Sequence, residues 1–93
     1  MKDFFSLKDK IIVITGGAGN LGQDFARTLL EFEAKIAIFD LIDNNQIKND
    51  NLKYFNVDIT NKDQIITNLN KIKSIWGIPS GLINNAGLDS PPD

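Results

Sequence analysis

Neither cysteine nor histidine occurs among the 93 residues of this chain. Without cysteine there is no disulfide framework and no thiolate nucleophile, and without either residue there is no Cys/His zinc site and no histidine acid/base chemistry. Tyr54 is the only tyrosine. No apolar run approaches the roughly 20 residues that would span a bilayer. The segment from Met1 to Ser6 is too short for a signal sequence and is followed at once by Lys8, Asp9 and Lys10. The formal net charge of -2, with both signs scattered, leaves no basic face for nucleic acid and no acidic tail. These absences lead us to expect a soluble, cytoplasmic chain with no metal site and neither nucleic acid nor membrane as a partner. A length of 93 residues allows one small domain, which buries a modest fraction of its surface.

What is present alternates in type. The run from Lys10 to Thr15 is strongly β-branched, as a strand buried on both faces of a parallel sheet requires. From about Asn20 to Glu33 the apolar residues take helical spacing, with Leu21, Phe25 and Leu29 on one line and Ala26 and Leu30 beside it. A second strand follows at Lys35 to Asp40. The segment from Leu41 to Asn51 is rich in Asn and Asp and reads as loop or a single poor helical turn. Leu52 to Asp58 returns to strand character. Thr60, with Asp63 three residues on, has the form of a capping box, and Ile65, Ile66, Leu69, Ile72 and Trp76 recur behind it at helical spacing. Gly77 and Pro79 end that helix. Gly81 onward reads as a short fourth strand running into a turn. The order β-α-β-loop-β-α-β predicts an α/β fold, a partial Rossmann arrangement with a parallel sheet in strand order 3-2-1-4 and flanking helices.

The stretch from Thr15 to Gly22 is the informative one. It joins the first strand directly to the first helix, and its glycines remove side chains where the backbone must turn sharply and approach a ligand at the positive end of the helix. Asp40 ends the second strand near the separation of roughly 20 residues at which a ribose-binding acid is expected. Together these features read as a dinucleotide site. Ligands of such sheets bind beyond the carboxyl ends of the strands where the order reverses, here between strands one and four. The glycine loop, Asp40, Asp58 and the turn from Asn85 to Gly87 would all reach that edge.

These residues resemble the short-chain dehydrogenase/reductase superfamily. Three blocks carry the likeness in order: Thr15 to Gly22, Asp58-Ile59-Thr60, and Asn84-Asn85-Ala86-Gly87. It extends from about Leu7 to Gly87, the front part of the family's fold. The resemblance implies that the amides around Asn20, Leu21 and Gly22 face a pyrophosphate, with Gly16 and Gly19 allowing close approach. It implies that Asp40 holds the adenosine ribose, that Asp58 and Ile59 lie beside the adenine, and that Asn85, Ala86 and Gly87 pass beneath the adenosine half. Asp58 has a plainer reading as the residue that starts the turn into the second helix, Asn84 one as a structural hydrogen-bonding residue, and Asp40 one as a plain strand terminus. A carboxylate at Asp40 accepts ribose hydroxyls and repels a 2′-phosphate, which favours NAD over NADP.

Two departures matter. Gly16, Gly19 and Gly22 have the spacing of the family's longer branch, whereas the Asn-Asn-Ala-Gly block belongs to the shorter one. The family's Tyr-x-x-x-Lys pair is absent, because the residue four places after Tyr54 is Asp58. Tyr54 lies within a strand and is expected to pack there. No residue of this chain is therefore assigned a catalytic role. The expectation is the single N-terminal NAD-binding segment, residues 1–93, of an oxidoreductase that moves hydride between NAD(H) and an alcohol or carbonyl, truncated before its catalytic half. A small-molecule substrate would then bind only in a longer chain. The alternative is a nucleotide-binding or partner-binding remnant without catalysis. An uncovered fourth strand also leads us to expect a homo-oligomer.

Overall fold

The computed structural model describes residues 6–16, 19–41 and 47–85. The elements are β1 (Ile11–Thr15), α1 (Asn20–Glu31), β2 (Lys35–Asp40), β3 (Leu52–Asn56), α2 (Lys62–Ile75) and β4 (Gly81–Asn84). The strands form one four-stranded sheet in the order β3-β2-β1-β4. Every pairing is parallel, with Thr15 opposite both Phe39 and Asn84, and Asp40 opposite Asn56. This is the 3-2-1-4 sheet that the alternation of elements predicts.

The period of two along β1 and β2 divides their side chains between two apolar layers. On one face Ile14, Ile36 and Ile38 pack with Ala26 of α1, Ala34 and Leu52. On the other Val13, Ala37 and Phe39 pack with Ile72 of α2 and with Val57. Buried Gly22 and Ala26 lie one turn apart on α1, so the helix presents small residues to the sheet and can lie close to it. Buried Gln23 sits beside them, and its amide pairs with the Tyr54 hydroxyl at 3.1–3.2 Å, joining α1 to β3. Tyr54 thus packs within the sheet layer, as its place in a strand predicts.

Several boundaries and faces differ from expectation. Helix α1 stops at Glu31, not Glu33, because Glu33 adopts φ 74. Its amide bonds to the Leu30 carbonyl and that of Ala34 to the Leu29 carbonyl, which closes a Schellman motif and turns the chain into β2. Strand β3 ends at Asn56, two residues earlier than predicted. The N-cap of α2 is Asn61, whose side chain accepts from the Gln64 amide, and not Thr60. Asn-x-x-Gln fits the capping pattern as well as Thr-x-x-Asp one residue earlier, and asparagine is the stronger cap. Leu21 and Ile66, assigned by spacing to the buried stripes, are 40% and 46% exposed. Residues 42–46, within the segment read as loop, lie outside the described residues, as do Ala86 and Gly87.

Candidate functional site

Parallel register brings the glycine turn, the end of β2 and the end of β4 to one level. Gly16 follows Thr15 with φ 69, a left-handed conformation that suits glycine, and its amide bonds to the Phe39 carbonyl at 2.9 Å. Across the other side, the Asn85 amide donates to the Thr15 carbonyl at 3.1 Å, and Asn85 Nδ2 donates to the Gly16 carbonyl at 3.0 Å. The β4 end is therefore latched to the glycine turn. Asn84 is held one residue earlier, where its Oδ1 accepts from the Thr15 hydroxyl at 2.9 Å. That contact gives Asn84 the structural role.

Gly19 is the N-cap of α1, and among the described residues no side chain caps this helix end. Its first turn, which carries Asn20, Leu21 and Gly22, contains no acidic residue. Helix α2 is the opposite case, with Asn61 as cap and Asp63 in the first turn. A helix end without a side-chain acceptor leaves its first amides and its positive dipole available to an anion. Asn85 adds a second feature. It is fully buried, and among the described residues its Oδ1 has no hydrogen-bond partner.

On the far side of β1, the Val57 amide bonds to the Asp40 carbonyl at 3.1 Å, which sets Asp58 beside the end of β2. Asp58 starts a turn. Its carbonyl accepts from the Asn61 amide at 2.9 Å, and its Oδ1 accepts from both the amide and the hydroxyl of Thr60, at 2.9 and 2.6 Å. The Gln64 side chain reaches back to accept the Asp58 amide at 2.8 Å. The two bonds from Thr60, the hydroxyl first, hold the Asp58 carboxyl below its ordinary value of 3.8. Ile59 is exposed beside it. An open apolar cleft of about 470 Å³ lies farther along, on the α2 face of β1 and β4, and Val13, Phe39, Ile59, Leu69 and Leu82 line part of it.

The structure thus brings Gly16, Asp40, Asp58 and Asn85 to the carboxyl edge of the sheet, with Gly19 to Gly22 at the head of α1 nearby. Gln64 and Asn61 were missed as partners of Asp58. The signal was present as Asn-x-x-Gln, masked by the overlapping Thr-x-x-Asp.

A parallel 3-2-1-4 sheet with a glycine turn between β1 and α1 defines the front of a doubly wound α/β fold. Residues 10–93 match the family model described as short chain dehydrogenase, and the chain belongs to that family. It is 33% identical over 88 residues to Dehydrogenase RED2 of Cochliobolus heterostrophus, covering 92% of this chain and 33% of that one. It is 30% identical over 92 residues to the sorbitol-6-phosphate 2-dehydrogenase of Klebsiella pneumoniae, covering 98% and 34%. Among solved structures, a short chain dehydrogenase from Leptospira borgpetersenii with bound NAD+ superposes with a TM-score of 0.78 at 27% identity, covering 89% of this chain and 32% of that one. The chain spans about a third of the length of these relatives.

Proposed function

We propose that this chain binds NAD(H) along the carboxyl edge of its sheet and serves as the cofactor-binding segment of an oxidoreductase acting on an alcohol or carbonyl. One observation carries the reading: residues from four separate parts of the sequence, Gly16, Asp40, Asp58 and Asn85, line the carboxyl edge of one sheet, with Gly16 and Asn85 joined at the point where the strand order reverses. The uncapped, acid-free head of α1 fits a diphosphate, which the amides of Asn20, Leu21 and Gly22 would hold. Gly16 and Gly19 carry no side chain to obstruct it. Asp40 would accept from the adenosine ribose, Asp58 and Ile59 would flank the adenine, and Asn85, Ala86 and Gly87 would support the adenosine half.

The nicotinamide ring, when bound, supplies the hydride acceptor or donor. Proton transfer to or from the substrate requires another group. Tyr54 is engaged with buried Gln23 and is followed four residues later by Asp58 instead of a lysine. Acid/base chemistry is therefore assigned to residues of a longer chain. The same observation favours a second reading, a nucleotide-binding module that performs no chemistry. Assay of hydride transfer by the product of the whole coding sequence separates the two.

NAD should bind more tightly than NADP, since the Asp40 carboxylate repels a 2′-phosphate. Calorimetric titration of the chain with each dinucleotide tests this. Asp40→Ala should weaken NAD by about ten- to a hundredfold, from roughly 1.5–3 kcal/mol of charge-assisted hydrogen bonding, and should remove the preference against NADP. Tighter binding of NADP than of NAD by the wild-type chain would sink the assignment. The edge strand β4, with Leu82 65% exposed, supports self-association of the chain, which sedimentation would detect.

A further inference from the structure

We propose that Thr60 and Gln64 are positioning residues that fix the Asp58 carboxylate for a single hydrogen-bond donor, the exocyclic amine of adenine, and thereby make the site reject hypoxanthine. The inference rests on the dinucleotide reading above and goes beyond it, because it assigns base selectivity to two side chains, Thr60 and Gln64, to which that reading gives no role.

Almost every polar atom of Asp58 is occupied. Its amide is taken by Gln64 Oε1 at 2.8 Å, its carbonyl by the Asn61 amide at 2.9 Å, and its Oδ1 by the amide and hydroxyl of Thr60 at 2.9 and 2.6 Å. Among the described residues, Oδ2 receives no such bond. Gln64 is itself set by the helix, since its amide donates to Asn61 Oδ1 at 3.1 Å and its carbonyl accepts from buried Asn68 at 2.7 Å. Asp58 is therefore anchored on both sides. Its backbone is tied to the first turn of α2, and its side chain cannot rotate without breaking the short Thr60 bond.

A turn-starting aspartate needs only the Thr60 amide and the Asn61 amide. The added hydroxyl and the Gln64 clamp do something a turn does not require, which is to leave one carboxylate oxygen in one orientation. An ionised carboxylate only accepts. At the 6-position adenine offers an amine, whereas hypoxanthine places a carbonyl oxygen there and moves the nearest donor to the neighbouring ring nitrogen. A mobile carboxylate could follow that donor. A fixed one meets oxygen with oxygen.

The test compares the affinities of the 93-residue chain for NAD and for nicotinamide hypoxanthine dinucleotide by calorimetry. The wild-type chain should prefer NAD by about tenfold or more, in line with sites built around one substrate hydrogen bond. Thr60→Val and Gln64→Leu should each narrow that ratio to about threefold or less, and Thr60→Ser, which keeps the hydroxyl, should restore it. Asp63→Ala is the control, because it removes the acidic residue of the α2 first turn while leaving the side chains of Thr60, Asn61 and Gln64 in place, and it should leave the ratio intact. Equal loss of both affinities in Thr60→Val, or a ratio that falls equally in Asp63→Ala, overturns the proposal in favour of a structural role. Wild-type binding of NAD with unchanged ratios in the variants overturns the positioning role alone. Failure of the wild-type chain to bind NAD overturns the dinucleotide reading, and the proposal with it.

Discussion

Asn85 Nδ2 donates to the Gly16 carbonyl at 3.0 Å, so the end of β4 holds the glycine turn in place although the two residues lie 69 positions apart. The same side chain keeps its Oδ1 buried without a partner among the described residues.

Those two facts make opposite contributions in Asn85→Ala. Loss of the bond costs roughly 0.5–1.5 kcal/mol, while removal of an unsatisfied buried acceptor returns roughly 1–3 kcal/mol. Urea unfolding should therefore place the variant between roughly 0.5 kcal/mol less stable and 2.5 kcal/mol more stable than the wild-type chain, while dinucleotide affinity falls as the turn is released. Asn85→Asp should be far worse, by about 3 kcal/mol or more, because it sets a carboxylate against the Gly16 carbonyl in a dry site. Equal stability of the two variants would show that water reaches this position.

Tyr54→Phe removes a partner from Gln23, which is 2% exposed. Gln23 retains a further interaction, so the cost should lie near the low end of the range, about 1 kcal/mol. For a domain of this size that is a fall in Tm of roughly 4–8 °C. Dinucleotide affinity should stay within about twofold, since the pair ties α1 to β3 behind the edge. A large loss of binding would give Tyr54 a role at the site.

Glu33 holds a left-handed position at the end of α1 that glycine usually fills. Relief of that conformation by Glu33→Gly is worth roughly 1–2 kcal/mol, against roughly 0.4–1 kcal/mol lost to the looser unfolded chain. The exposed bond from Ser6 Oγ to Glu33 Oε2 adds little to the opposing side. The variant should be more stable by up to about 1 kcal/mol in thermal unfolding. A fall in Tm would mean that the Glu33 side chain contributes more than its geometry indicates.

Asp58 has its carboxyl held below 3.8 by Thr60. A carboxylate whose folded value is depressed adds stability above its unfolded value and loses it as pH falls through the folded value. The stability difference between the wild-type chain and Thr60→Val should therefore be constant near neutrality and shrink only below about pH 4. NMR titration of the carboxyl carbon should show the Asp58 midpoint rising in the variant. A midpoint unchanged by Thr60→Val would remove the hydroxyl as its cause.

Much of this arrangement was legible beforehand. The β-branched run of β1, the helical spacing behind it and the short connection into β2 fix the element order, and right-handed crossovers then allow few sheets other than 3-2-1-4. Asp40 and the glycine turn were legible for the same reason, since each ends or follows a strand. The exact helix faces were not. Leu21 has the right spacing for the stripe of α1 but lies at the exposed head of the helix, where the sheet no longer covers it. Thr60 and Asn61 offered two overlapping caps, and geometry chose the asparagine.

By itself, the sequence determined the alternation of elements, the sheet order they permit and the place of Asp40, Asp58 and Asn85 at or just beyond the carboxyl ends of strands. Local propensity and apolar period act over neighbouring residues and can be read without a fold. Only the tertiary structure decided that Asn85 would latch Gly16, that Gln23 would be buried against Tyr54, and that Gln64 would clamp Asp58. Each of these pairs a polar group with the partner that burial or turn geometry leaves within reach, and that choice depends on the registration of whole elements, not on spacing along the chain.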